Sequence, residues 1–456
     1  MKLWPFYLLP FAILAGTAAQ GSGLYLFGIV VPVWLYRREL LSYASRLPLG
    51  TLAVCLATLY LVFPVIDVID GFLPDGETIR AIPRPEHLPW AKVIRGPVTS
   101  GVLVTGTFLA ILAFLNRNKT LNQSSTAGGR ETSTRVFRVF TRGLSIASII
   151  LLAYVLLQAT TGFDYRTLVA NRTDRLMANG WYRPSGFYTH PLSLAGTALV
   201  FGSFYWSVFW QALEKRGPDL VVPLWESCGI ALLHFTLVFL TAGRTAALVG
   251  ALMLLGIPAS SGIGHQFHKW KLAALIILAP IIALAAQLAG IWQRFREFFT
   301  DFAKPGSDHR LDFWTVHWRM IRDDPFFGHG YTWLHAFKRR EYYEALGYGG
   351  LKQKFNAHNI YLEVLAQVGL IGVLVIALCI AVFLSNLRRA SVREPVGALL
   401  IRAFTIALGA NALHGLTQNT FFDSNLAFTY LALFLVLFWS LIDHAPFENY
   451  SVKSFS

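Results

Sequence analysis

Four short stretches of this chain gather arginine, histidine, glycine and proline at the edges of apolar runs, and its chemistry is expected there. The first is Arg183-Pro184-Ser185-Gly186-Phe187-Tyr188-Thr189-His190-Pro191, where an arginine precedes a Pro/Gly-marked helix start whose backbone N–H groups favour anions. The second, Thr241-Ala242-Gly243-Arg244-Thr245, sets a lone arginine at a hairpin with almost no loop. The third opens at Arg310, with Arg319 and Arg322 following at helical spacing. The fourth, Asn356-Ala357-His358-Asn359, closes a polar loop and runs into the apolar stretch from Ile360 to Gly372.

Arginine never loses its charge, and its planar fork holds phosphate or pyrophosphate through paired, charge-assisted hydrogen bonds. A histidine near its ordinary pKa of about 6.5 accepts a proton from a hydroxyl at neutral pH. Together they suit transfer from a phosphate-activated donor to a hydroxyl acceptor. Each patch also has a plainer reading: an interfacial anchor at Arg183, a snorkelling side chain at Arg244, a solvated helix face from Arg310 to Arg322, a capping residue at His358. Ionisable residues inside membrane segments are costly and usually face a cavity, which favours a role for Arg244.

No metal site is expected. His265 and His268 share a loop without a nearby carboxylate or cysteine, and no Walker loop, Gly-x-Ser-x-Gly elbow or zinc signature is present. Cys55, Cys228 and Cys379 each lie inside an apolar run, as packing residues rather than a disulfide framework. No nucleic-acid module is visible, and the energy for any reaction must come from the substrate.

The elements that position these patches follow from composition. Of 456 residues, 55% are apolar and only 14% charged, against about 25% charged in a soluble domain. Such a chain needs lipid to hide its surface. Runs long enough to cross a bilayer fall at 3–19, 22–36, 49–66, 97–115, 144–160, 187–212, 220–240, 245–259, 272–290, 359–385, 398–415 and 425–442. The first reads as an uncleaved span rather than a signal peptide. The fold expected is an all-α polytopic membrane protein of about 12 spans, with both termini inside and one large outer loop between spans 9 and 10.

The chain divides into spans 1–9 (1–290), the loop (291–357) and spans 10–12 with a tail (358–456). Short basic loops at 37–47 and 386–397 set the orientation, because long loops translocate whatever their charge. The outer loops are then unusually cationic, in a chain of net charge +14, and a polyanionic ligand would account for that. Within the large loop, Leu311 to Ile321 has helical spacing ended by Asp324-Pro325, a second helix runs from about Leu334 to Leu346, and Gly328-His329-Gly330 marks a turn. The inner stretch 118–134 reads as a flexible linker.

These residues resemble the O-antigen ligase family, the polytopic enzymes that move a polysaccharide from a polyprenyl pyrophosphate carrier to the lipid A core. The resemblance covers about the last 280 residues. Its strongest element is His358-Asn359, Leu362 and Gly369-Leu370-Ile371-Gly372, similar to the family's His-Asn-x-x-Leu and Gly-Leu-x-Gly signature. Arg183 to Pro191, Gly243-Arg244, Arg310 with Trp314, and Asp324-Pro325-Phe326-Phe327-Gly328-His329-Gly330 support it in order. One departure is Gly243, where the family pattern has serine.

The resemblance implies a GT-C-like, lipid-carrier-dependent glycosyltransferase of the bacterial inner membrane. Its active site would face the periplasm and work by inversion, without metal or cofactor. Its partners would be an undecaprenyl pyrophosphate-linked glycan donor, a lipid A core acceptor and membrane lipids, with no nucleic acid. His358 would activate the acceptor hydroxyl; Arg183, Arg244 and Arg310 would hold the pyrophosphate. Asn359, Arg319, His190, Asn419 and Asp423 are supporting candidates, Asn359 to orient the histidine or a sugar. The same motifs resemble O-antigen polymerases and protein O-oligosaccharyltransferases, and a polysaccharide transporter is the reading without chemistry.

Overall fold

The computed structural model describes residues 3–15, 134–165, 182–188, 190–215, 222–260, 310–329, 332–348, 356–391 and 395–418, with single positions near 26–34, at 180 and between 429 and 436. In chain order its helices are α1 (Trp4–Leu14), α2 (Thr134–Thr161), α3 (Pro191–Lys215), α4 (Leu224–Leu240), α5 (Arg244–Ser260), α6 (Arg310–Asp323), α7 (Thr332–Ala345), α8 (Ile360–Ser391) and α9 (Pro395–His414). Among the described residues every regular element is helical, as expected. Arg135–Thr161 and Pro191–Leu213 are each long and apolar enough to cross a membrane, and α1, α4 and α5 are shorter apolar helices.

The apolar runs at 3–19, 144–160, 187–212, 220–240, 245–259, 359–385 and 398–415 overlap α1 to α5, α8 and α9. Those at 49–66, 97–115 and 272–290 lie outside the described residues, as do Cys55, the loop before Arg310 and, single positions apart, the runs at 22–36 and 425–442. The two helices expected in the loop are α6 and α7. The largest boundary difference is at the start of α2. α2 starts at Thr134 because its first turns are amphipathic: Val136, Phe137 and Phe140 are buried, while Arg135, Arg138 and Arg142 line an exposed face. A search for uniformly apolar runs passes over such turns.

α3 is the central helix and packs against α4, α5 and α9, while α1 lies along α2. Lipid chains are as apolar as leucine, so in a membrane helices associate through close packing and interhelical hydrogen bonds. Both are present. Phe137, Phe140, Phe201, Phe204 and Tyr205 are fully buried between α2 and α3, with the Phe137 and Tyr205 rings stacked 6.0 Å apart. A Cβ at Gly143 would strike the backbone of Tyr7, so glycine lets α1 and α2 touch main chain to main chain. Along α2, Thr141 shares a 2.9 Å hydrogen bond with Tyr205, Ser145 donates to Glu226 at 3.1 Å, and Ser148 meets His234 Nε2 at 2.9 Å.

The loop helices build a second, smaller core against the start of α8. Phe313, Val316, Met320 and Ile321 of α6, Tyr343 of α7 and Ala366 of α8 form it. Beyond Ala366, α8 is broken at Gly369 (φ 61°, ψ −172°), where the sequence reads as one unbroken span. The turn after α6 docks into the break. Leu370 N–H donates to Pro325 O at 2.9 Å, Ile371 N–H to Phe326 O at 3.1 Å, and His329 N–H to Ala366 O at 2.9 Å. The break frees main-chain groups of α8, and the turn satisfies them, as burial demands.

The two segments approach too closely for side chains. A Cβ at Gly369 would strike Phe326, and one at Gly328 (φ +75°) would stand 2.5 Å from Gln367 O. Gly347 has an equally left-handed backbone (φ +81°) but nothing within 4 Å of its would-be Cβ. Gly347→Ala is therefore expected to cost about 1 kcal/mol of backbone strain, and Gly328→Ala more than about 2 kcal/mol, because the turn must also undock. Thermal unfolding of the two detergent-solubilised variants, compared with the unsubstituted protein, tests the difference.

Candidate active site

The first two arginine patches meet at one end of the helix bundle. Gln158, in the last turn of α2, braces the chain that follows Arg183: its Oε1 accepts from Ser185 N–H (3.2 Å) and Gly186 N–H (2.8 Å), and its Nε2 donates to Gly186 O (3.3 Å). From this fixed strap Arg183 reaches across, and its Nε donates to Thr241 O at 2.9 Å. Thr241 caps α4, two residues before the glycine that opens α5. Gln158 was not visible as a site residue, since a lone glutamine in an apolar run carries no motif.

Arg244 is the first residue of α5, at a helix N-terminus where the dipole favours anions. The turn before it is tight: Ala242, fully buried, adopts φ 51°, and Gly243 O accepts Ala247 N–H at 2.8 Å. A Cβ at Gly243 would lie 3.3 Å from Leu192 Cδ2, so this turn packs closely on the start of α3. The next residue ties α5 to α9, because Thr417 donates to Thr245 Oγ1. The same end of α9 holds the fourth patch, with Ile360 N–H donating to Gly415 O at 2.9 Å and the Tyr361 hydroxyl to Ala412 O at 2.8 Å.

His358 stands two residues ahead of α8, half-buried, with a left-handed backbone (φ 46°). Among the described residues Ala242 and His358 are the non-glycine positions with positive φ. Ala242 lies within the second arginine patch and His358 within the fourth, and strain of this kind persists where the surroundings enforce it. The His358 ring lies 5.9 Å from that of Phe313 on α6. Trp314, the next residue, donates from Nε1 to Ala357 O at 2.9 Å. Arg310 opens α6 one turn before Trp314, so the third patch lies beside the fourth.

Asn359 is the N-cap of α8. Its Oδ1 accepts from Tyr361 N–H at 2.9 Å and Leu362 N–H at 3.1 Å, which engages the oxygen considered for orienting histidine or sugar. His190 caps α3 in a similar way, its Nδ1 accepting from Leu192 N–H at 3.2 Å, and its ring is exposed. Arg319 forms an exposed pair with Asp323 at 3.2 Å. Asn419 and Asp423 lie outside the described residues.

Sequence reasoning passed over the most heavily bonded group of the site. Glu363, one turn into α8, is 2% exposed. Its Oε1 accepts from Arg339 Nη1 (3.1 Å) and Gln367 Nε2 (3.0 Å). Its Oε2 accepts from Ala357 N–H (2.7 Å) and faces His317 Nε2 at 3.0 Å. His317 in turn meets Phe313 O through Nδ1 at 2.7 Å. The available signal was a carboxylate at the start of an apolar run, which has to find partners.

Residues 229–377 match the family model described as O-antigen ligase, and this match supports the resemblance drawn from the motifs. The matched segment contains Arg244, Arg310, Trp314, His358 and Glu363, whereas Arg183, His190, Asn419 and Asp423 lie outside it. No curated protein matches the chain.

His329 makes the docked turn sensitive to pH. Its Nε2 lies 2.7 Å from Met320 O, and its ring packs edge-on to Tyr342 at 5.3 Å. Burial pushes its pKa below the ordinary 6.5; the Met320 carbonyl pulls the other way, and Lys338 adds to the lowering. The folded state therefore binds this proton less readily than the unfolded chain, and stability falls as pH drops below about 6.5. The melting temperature in detergent should decline between about pH 7.5 and pH 5.5, and His329→Gln should flatten that slope.

Proposed function

We propose that this chain is a membrane glycosyltransferase of the O-antigen ligase type. It takes O-antigen polysaccharide from undecaprenyl pyrophosphate and joins it to the lipid A core oligosaccharide, at the periplasmic face of the bacterial inner membrane. The observation that carries the reading is the convergence of Arg183, Arg244 and His358 on one end of the bundle, linked through Thr241, Thr245, Thr417, Gly415 and Ile360. Two arginines, one opening a helix and one bonded to the turn before it, at the bundle end that also carries a strained histidine suit an anionic leaving group and a hydroxyl nucleophile.

In the reaction His358 accepts the proton of an acceptor hydroxyl as its oxygen attacks the anomeric carbon of the donor. The bond from that carbon to the pyrophosphate oxygen breaks on the opposite face, so the configuration inverts, and the electron pair leaves with the carrier pyrophosphate. Arg183, Arg244 and Arg310 stabilise the charge that grows there, the electrostatic contribution expected to carry much of the rate. Their charge is fixed at any working pH, so the leaving group needs no divalent cation. The dipole of α5 adds to the same field.

The test is a liposome assay with the purified full chain, undecaprenyl pyrophosphate-linked O-antigen, a lipid A core acceptor and a chelator. Acceptor carrying the whole glycan is expected, with His358→Ala at least about 100-fold slower. Arg244→Lys keeps the sign and loses the fork, so kcat/KM for the donor should fall about 10- to 100-fold. Longer carrier-linked chains without core transfer would make the protein a polymerase. Full activity in His358→Ala would remove the base from the scheme.

A further inference from the structure

We infer that Trp314 and Glu363 are positioning residues that clamp Ala357 through the two peptide groups that flank it and so hold His358 for proton transfer. The inference rests on the reading of His358 as the base. The indole Nε1 donates to Ala357 O at 2.9 Å, and Glu363 Oε2 accepts Ala357 N–H at 2.7 Å. The side chain of Ala357 is itself fully buried, so the residue is held through its methyl group, the amide of the peptide before it and the carbonyl of the peptide that leads into His358. His358 follows directly with φ 46°, and its own N–H donates to Asn356 Oδ1 at 3.3 Å.

A left-handed backbone is unfavourable for histidine and persists where neighbouring contacts enforce it. Here the enforcing groups come from two different elements. Trp314 belongs to α6 of the loop, and Glu363 belongs to the first turn of α8. Glu363 is itself aimed by loop residues, His317 Nε2 at 3.0 Å and Arg339 Nη1 at 3.1 Å. The loop therefore sets the direction of the imidazole through the peptide before it. Neither Trp314 nor Glu363 has to touch substrate.

Placement errors of about 1 Å at a reacting group cost about 100-fold in rate, so loosening the clamp should lower kcat while donor KM stays near its original value. Trp314→Phe removes the indole donor and keeps an aromatic ring. Glu363→Gln keeps an acceptor but leaves Arg339 and His317 facing a neutral group, so its folding is less secure. Trp314→Phe is the deciding variant, used as full-length protein that elutes and melts like the unsubstituted chain.

Two readouts are taken. In the liposome assay kcat is expected to fall about 10- to 100-fold. With diethyl pyrocarbonate and peptide mass spectrometry, modification of the His358 ring should speed up several-fold while that of exposed His190 stays constant. Unchanged kcat in folded Trp314→Phe overturns the clamp. So does a lower kcat with an unchanged His358 modification rate, which would mean that the tryptophan acts on substrate. Full activity in His358→Ala instead overturns the reading on which the clamp rests.

Discussion

The carboxylate of Glu363 is the constraint from which the site's geometry follows. A charge with 2% exposure is tolerated only if nearly all its lone pairs find donors, because desolvation otherwise costs several kcal/mol. Its donors are Arg339 on α7, the Ala357 amide just before α8 and Gln367 one turn on, and His317 on α6 approaches it at 3.0 Å. Satisfying one buried acid therefore pins both loop helices to the same turn of α8. The apolar contacts of Phe313, Val316, Met320 and Tyr343 close around that pin and keep water from competing for it.

A second attachment lies farther along α8. At Gly369 the helix gives up its own hydrogen bonds, and the backbone from Pro325 to His329 takes them over. Side-chain contacts tolerate small slips, whereas main-chain pairing between two glycine-bearing segments has a single register. Two separated anchors, one ionic and one main-chain, fix the loop's orientation as well as its position. The loop is thus an integral wall of the site, and the Ala357–His358 peptide lies beside the first anchor.

Much of this was legible in the sequence. Hydropathy located α3, α4, α5, α8 and α9 to within a few residues, since lipid demands long apolar runs. Periodicity and Asp324-Pro325 located α6, and the four patches were recognised by residue type. What escaped depends on contacts far apart along the chain. Arg339 sits in the run Lys338-Arg339-Arg340 and reads as solvated, yet it reaches a carboxylate 24 positions on. The Gly369 break was hidden inside a continuous apolar run, because its cause is a turn about forty residues earlier. Arg183 and Arg244 were joined in one expected site by the resemblance alone, and only the fold brings the Thr241 carbonyl to the first.

The distribution of strain connects these observations to the proposed chemistry. Buried peptide groups normally settle into unstrained helix or strand, yet Ala242 and His358 are held left-handed, one beside Arg244 and the other carrying the imidazole. Both sit at joints, between α4 and α5 and between the loop and α8. A transfer between two long, mobile glycans gains little from gripping the polymers themselves. It gains from keeping a few protein atoms stationary, so that no reorganisation is needed when charge moves from hydroxyl to leaving group. Helix ends tied together by main-chain hydrogen bonds provide that stationarity, and the strain at the two joints is tolerated because the surrounding contacts leave the backbone no other path.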